Sequence, residues 1–114
     1  MPGVPHPLPE ALAELIAQRF RVIGEPMRIR ILDQLREDEA SVHELTKALG
    51  ASQQNVSKHL QVLLDAGIVG RRKEGNNAIY SITDPSVFAL CDEVCGSVRR
   101  QLSELNALVQ GVGS

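Results

Sequence analysis

The 114-residue sequence has no Trp, one Tyr, two Phe and two Cys, and it has no long apolar run. Each scarcity excludes something. Two cysteines cannot form a disulfide scaffold, and they read as reduced thiols of a cytoplasmic protein. Apolar runs of only a few residues cannot span a bilayer. The segment Met1-Pro2-Gly3-Val4-Pro5-His6-Pro7 has no basic stretch followed by an apolar one, so no secretory leader is expected. There is no Gly-rich phosphate loop, no paired carboxylates in a plausible pocket and no nucleophile–base pair, so enzymatic chemistry is not expected. Charge of either sign is in short surplus: twelve basic and fourteen acidic residues leave a formal net charge of -2. That sum argues weakly against a polyanionic partner, because distribution matters more than the total. The length suits one domain around one modest core.

The residues that are present give an order of elements. Four of the six Pro fall in the first nine residues, which predicts a flexible arm over 1–8 and a folded domain over 9–110. From Pro9, apolar Leu12, Leu15, Ile16 and Phe20 recur at helical spacing. Gly24 breaks the pattern. Pro26 opens a second helix with Met27, Ile31, Leu32 and Leu35 on one side, and Glu37-Asp38-Glu39 reads as a solvated loop. Ser41 and Glu44 have the spacing of a capping box, followed by a short helix with Val42, Leu45, Ala48 and Leu49 facing inward. After Gly50-Ala51, Ser52 caps a helix whose inward stripe is Val56, Leu60, Leu63 and Leu64. Gly67 stops it. Ile68 to Lys73 and Ala78 to Ile82 read as two strands joined by Glu74-Gly75-Asn76-Asn77. Asp84-Pro85 starts a last helix that runs to about Val109 with Val87, Leu90, Cys91, Val94, Val98, Leu102, Leu105 and Leu108 spaced by threes and fours. The expected fold is mainly α with a small β-hairpin, an α+β winged helix-turn-helix.

Two short helices around a tight Gly turn, followed by a basic hairpin, point to double-stranded DNA. A helix can sit in the major groove when one face packs inward and the other offers small polar groups. Over Ser52–Gln61 the positions outside the stripe hold Ser52, Gln53, Gln54, Asn55, Ser57, Lys58, His59 and Gln61, with no acid among them. Gln and Asn amides pair bidentately with adenine; Ser and Lys reach base edges or phosphates. The hairpin adds Arg71, Arg72, Lys73 and, at its tip, Asn77, suited to phosphates or the neighbouring minor groove. Asp33, Glu37, Asp38, Glu39 and Glu44 lie outside this surface in sequence. A solvated polar face would also explain either half of the pattern alone; the two in succession favour DNA.

Over about residues 10 to 109 the sequence resembles the ArsR/SmtB family of bacterial winged-helix repressors. The resemblance is carried by Leu49 to Leu60 (LGASQQNVSKHL), Leu63, Leu64, Ala66-Gly67-Ile68-Val69, Arg71 to Gly75, Tyr80, and the earlier segment Gly24 to Leu32 (GEPMRIRIL). It implies a homodimer built from the first and last helices, and repression modulated by a bound ligand. A two-fold dimer reads an inverted-repeat operator with half-sites one helical turn or a multiple apart. The alternative is a winged-helix protein-interaction module that needs a co-regulator protein to act on DNA.

The family's metal sites do not carry over. The Cys-x-Cys positions read Ser41-Val42-His43, and the last-helix site retains Asp84 but has Ser86, Ser97 and Arg100 at the partner positions. The candidate effector ligands are then His6, Asp84, Cys91 and Cys95, for nickel, zinc or arsenite, or for thiol chemistry. Cys91 and Cys95 lie at i and i+4, about 6 Å apart at Cβ, so they share a helix face. The competing reading is two small hydrophobes packed at a dimer seam.

Overall fold

The computed structural model describes residues 5–113. Its elements are α1 (Glu10–Ile23), α2 (Pro26–Glu37), β1 (Ala40–Ser41), α3 (Val42–Leu49), α4 (Gln53–Asp65), β2 (Val69–Glu74), β3 (Asn77–Ile82) and α5 (Ser86–Gly113). The first half of the expected arm, residues 1–4, lies outside the described residues. Two compact units divide between Thr83 and Asp84.

In the first unit, helix starts follow local capping chemistry. The Pro9 carbonyl accepts the Ala13 N–H at 3.0 Å and opens α1. Glu25 caps α2 by accepting the Arg28 N–H at 3.0 Å, with Pro26 at a first-turn position where no N–H is needed. The capping box of α3 is complete: Ser41 Oγ accepts the Glu44 N–H at 3.1 Å, and Glu44 Oε1 accepts the Ser41 N–H at 3.0 Å. Those bonds, the Ser41 backbone N–H first, hold the Glu44 carboxyl below its ordinary range. Gly50 ends α3 at φ +63°, a left-handed turn that favours glycine. One residue on, Ser52 Oγ accepts the Asn55 N–H at 3.1 Å and starts α4.

Helices α2, α3 and α4 pack on one another. Their buried side chains are Ile31, Leu32, Leu35, Leu45, Leu49, Val56, Leu60 and Leu63, joined by Ile68, Val69 and Tyr80. Each large apolar side chain so buried stabilises the fold by roughly 1.5–3 kcal/mol relative to exposure. Ala48, expected inward, is exposed: Leu45 and Leu49 alone carry the buried face of this short helix. The α1 stripe is not part of this core. Leu15, Ile16 and Phe20 face solvent, and α1 is buried only at Val22 and Ile23.

The sheet has three strands rather than the expected two, in the order β1-β3-β2. Strand β1 pairs Ala40 with Tyr80 and Ser41 with Ile79, so the presumed loop after Glu39 edges the wing. A two-residue strand leaves no alternation to read in sequence. The β2–β3 register pairs Val69 with Ile82, Arg71 with Tyr80, Arg72 with Ile79 and Lys73 with Ala78. Side chains alternate along a strand. Arg71 and Lys73 therefore share the face of buried Val69 and Tyr80, while Arg72 and Glu74 lie on the opposite face.

The second unit is essentially α5, which extends to Gly113, beyond the expected end near Val109. Asp84 caps its start: Oδ1 accepts from the Ser86 N–H and from the Ser86 hydroxyl. Val94, Val98, Leu102, Leu105 and Leu108 are exposed along it. Among the described residues no helix is long and apolar enough to cross a membrane.

Candidate nucleic-acid interface

Helix α4 sorts its side chains as a groove-reading helix must. Val56, Leu60 and Leu63 anchor it inward. Ser52, Gln53, Gln54 and Lys58 are exposed, and Asn55 and Ser57 are half-buried. The Ser52 hydroxyl accepts the Asn55 N–H, so its oxygen already has a structural task. Gln61, also exposed, donates to Asp65 at 2.8 Å.

His59 departs from the expectation. It is only 7% exposed and belongs to the inward face, so its ring is withdrawn from the exposed side of α4. Its Nδ1 lies 3.1 Å from Arg28 Nη1 and 3.6 Å from Glu25 Oε2. Partial desolvation works against the Glu25 charge, but the backbone N–H groups of Arg28 and Met27, with the Arg28 guanidinium, outweigh it and hold the carboxyl below its ordinary range. The helical spacing of His59, one residue before Leu60, is compatible with either face. Only its partners on α2 decide the matter.

The wing is also redistributed. Arg71, Lys73 and Asn77 are exposed on β2 and β3. Arg72 is not available as they are. Its Nη1 donates to Glu39 Oε2 at 2.7 Å, and its Nη2 donates to Glu39 Oε1 at 2.8 Å and to Glu74 Oε2 at 2.7 Å. The Glu39 carboxylate, helped by Glu74, raises the already high pKa of this guanidinium. One acid expected away from the basic strand, Glu39, thus reaches it. Glu39 precedes β1, and the edge position of β1 brings it across β3 to Arg72. The cations left open on the wing are Arg71 and Lys73.

The effector candidates do not assemble. Cys91 is half-buried and Cys95 exposed on α5, and neither is joined in a disulfide. His6 is exposed, and Asp84 is engaged at the start of α5. Among the described residues no three His, Cys, Asp or Glu side chains are grouped to hold a metal ion. Two thiols are short of the four donors of a closed tetrahedral site. The described residues of a single chain do not by themselves supply the donors of such a site.

Sequence reasoning missed Glu25, Arg28 and Glu39. The place of Glu25 before Pro26 marks a helix cap and could have been found. The pairings of Arg28 with His59 and of Glu39 with Arg72 span 31 and 33 residues and leave no local signal.

Residues 25–70 match the model of the bacterial regulatory protein arsR family. The uncharacterized HTH-type transcriptional regulator Rv0081 of Mycobacterium tuberculosis H37Rv is 38% identical over 102 residues, 89% of this chain and 90% of its own length. The crystal structure of M. tuberculosis Rv0081 superposes with a TM-score of 0.75 at 39% identity, covering 84% of this chain and 97% of that one. The antimony-specific transcriptional repressor AntR gives a TM-score of 0.77 at 28% identity, covering 90% of this chain and 93% of that one. A homodimeric winged helix-turn-helix DNA-binding domain from Mycobacterium bovis, Mb0332, gives 0.70 at 28% identity, covering 88% and 95%.

Proposed function

This chain belongs to the arsR family of bacterial regulatory proteins, and we propose that it represses transcription as a homodimer bound to an inverted-repeat operator. It is a DNA-binding regulator, not an enzyme. The observation that carries the finer reading is the outer face of the first turns of α4, acid-free over Ser52–Gln61 with Gln53, Gln54 and Lys58 exposed, on the same domain as the open wing cations Arg71 and Lys73. In this reading α4 enters the major groove. Gln53, Gln54, Asn55 and Ser57 meet base edges, and Lys58, Arg71, Lys73 and Asn77 meet the backbone. Backbone contacts position the domain, and amide pairs at the base edges select the sequence.

The homodimer reading rests on apolar side chains exposed on α1 and on α5, each considered alone, and on the homodimeric Mb0332 domain. Two-fold symmetry then repeats the half-site at one helical turn or a multiple. Modulation by a metal ion or by thiol chemistry is supported by the antimony-specific relative AntR and by the thiols of Cys91 and Cys95. Among the described residues of one chain, no three donors are grouped to hold such an ion.

Selection of duplexes from a random-sequence library by the purified chain tests the proposal. Enrichment of an inverted repeat is the expected result, with Gln54→Ala losing roughly 1–3 kcal/mol of preference for it at an unchanged salt slope. No enrichment by the chain alone, but enrichment with a co-regulator protein added, replaces the proposal with the interaction-module reading. Titration of the bound complex with nickel, zinc, arsenite and an oxidant then reads out the effector class.

A further inference from the structure

The one buried polar side chain of the core among the described residues, His59, lies on the helix proposed to read DNA, and Arg28 is bonded to it. We propose that Arg28 is a positioning residue for sequence reading: its guanidinium ties the last turn of α1 to His59 and thereby fixes the roll of α4. This inference rests on the assignment of α4 as the recognition helix.

The last carbonyls of α1 need partners from outside the helix. The Phe20 carbonyl accepts from the Gly24 N–H, and the Ile23 carbonyl accepts from the Glu25 N–H. Two remain, those of Arg21 and Val22, and Arg28 serves both. Its Nε donates to the Val22 carbonyl and its Nη2 to the Arg21 carbonyl at 3.4 Å. A cation is also favoured at the negative end of a helix dipole. The remaining fork atom, Nη1, reaches His59 Nδ1 at 3.1 Å. Arginine has no acceptor, so Nδ1 must accept and the imidazole proton sits on Nε2. Glu25 balances the charge: its carboxylate accepts from the Arg28 backbone N–H and lies 3.6 Å from the same imidazole nitrogen.

The tie supplies what the apolar anchor lacks. Val56, Leu60 and Leu63 hold α4 by burial, which is non-directional and tolerates a small rotation about the helix axis. A hydrogen bond to an imidazole nitrogen weakens steeply when misaligned. His59 follows Lys58 directly, and Gln54 lies five positions before it. A rotation that breaks the bond would therefore swing the exposed amides off the base edges. Phosphate contacts by flexible Lys and Arg side chains tolerate the same rotation. Loss of the tie should then lower discrimination between sequences while leaving general DNA affinity in place.

The test uses the full chain and two probes: the duplex that it selects from a random library, and a random-sequence duplex of equal length. His59→Leu keeps a buried apolar side chain and removes the acceptor. His59→Asn keeps an acceptor near the Nδ1 position. Arg28→Met removes the donors. The expected result is at least a tenfold fall in the selected-to-random affinity ratio for His59→Leu and Arg28→Met, with wild-type affinity and salt slope on random DNA, and recovery of most of the ratio in His59→Asn. An unchanged ratio in folded His59→Leu or Arg28→Met overturns the proposal, and so does an equal loss on both duplexes. Nitrogen-15 chemical shifts of His59 in the wild-type chain judge the tie without any substitution: an acceptor-type Nδ1 is expected, and a protonated Nδ1 at neutral pH overturns it. If the wild-type chain selects no sequence, the recognition-helix assignment fails instead, and the nitrogen shifts still decide whether the tie exists.

Discussion

The Arg72 guanidinium is held by the Glu39 carboxylate through two parallel hydrogen bonds of 2.7 and 2.8 Å, so an acid that precedes β1 occupies the fork a phosphate would take. An exposed ion pair is worth little to stability, but bidentate geometry and a second acid, Glu74, favour this one. Glu39→Ala should strengthen binding to random-sequence DNA and steepen the log–log salt dependence by about 0.9, the value of one added phosphate contact. The same substitution in an Arg72→Ala background should change neither by that amount. Anisotropy titrations at several salt concentrations give all four corners of the cycle. An equal effect in both backgrounds would mean that Glu39 acts only through long-range charge.

Helix α3 makes a pH prediction. The Ser41 backbone N–H and hydroxyl hold the Glu44 carboxyl below its ordinary range in the folded state. The stabilisation is therefore complete above the unfolded-state value, about 4.3, and is lost as pH falls through the lower folded value. Glu44→Gln can still bond the Ser41 N–H but does not titrate. Thermal midpoints of the two proteins should differ most at neutral pH and converge below about pH 4.

At the base of the wing, a Cβ on Gly70 would stand 2.8 Å from Thr83 Cγ2. Thr83 cannot rotate away freely, because its hydroxyl donates to the Gly67 carbonyl at 3.0 Å. Gly70→Ala should cost about 1–3 kcal/mol, the usual range for overpacking. Adding Thr83→Ser removes the methyl, keeps the hydroxyl and should restore most of the loss. Urea midpoints of the single and double variants check this.

For α5 the prediction concerns assembly. Leu102 and Leu105 are 55% and 57% exposed in one chain. Leu102→Glu and Leu105→Glu should each weaken the homodimer roughly tenfold or more, a penalty of about 1.4 kcal/mol, with helix content retained. Sedimentation equilibrium reports the first property and circular dichroism the second. Wild-type dimerisation in both variants would remove α5 from the proposed interface.

Several elements were legible because their causes are local. The Ser41–Glu44 box, the Ser52 cap and the Gly50 turn each act within a few residues, so spacing alone located α3 and α4. The hairpin was legible through its turn residues and alternating strands. Strand β1 was not, since two residues show no period and their partners, Tyr80 and Ile79, are about forty positions away. The inward stripe of α3 was misjudged at Ala48 for a similar reason. Helical spacing says which residues share a face, as Leu12, Leu15 and Ile16 do, but not whether anything covers that face.

The sequence by itself determined the order of elements, the polar outer face of α4 and the basic character of β2, because capping, turn formation and alternation are properties of neighbouring residues. Tertiary structure alone decided which of those groups remain open. It turned His59 inward against Arg28 and closed Arg72 onto Glu39, leaving Arg71 and Lys73 as the open cations of the wing. The physical reason is that a hydrogen bond depends on where folding brings its partners. Those partners lie 31 and 33 residues apart, and it is the packing of α2 on α4 and the β1–β3–β2 order that join them.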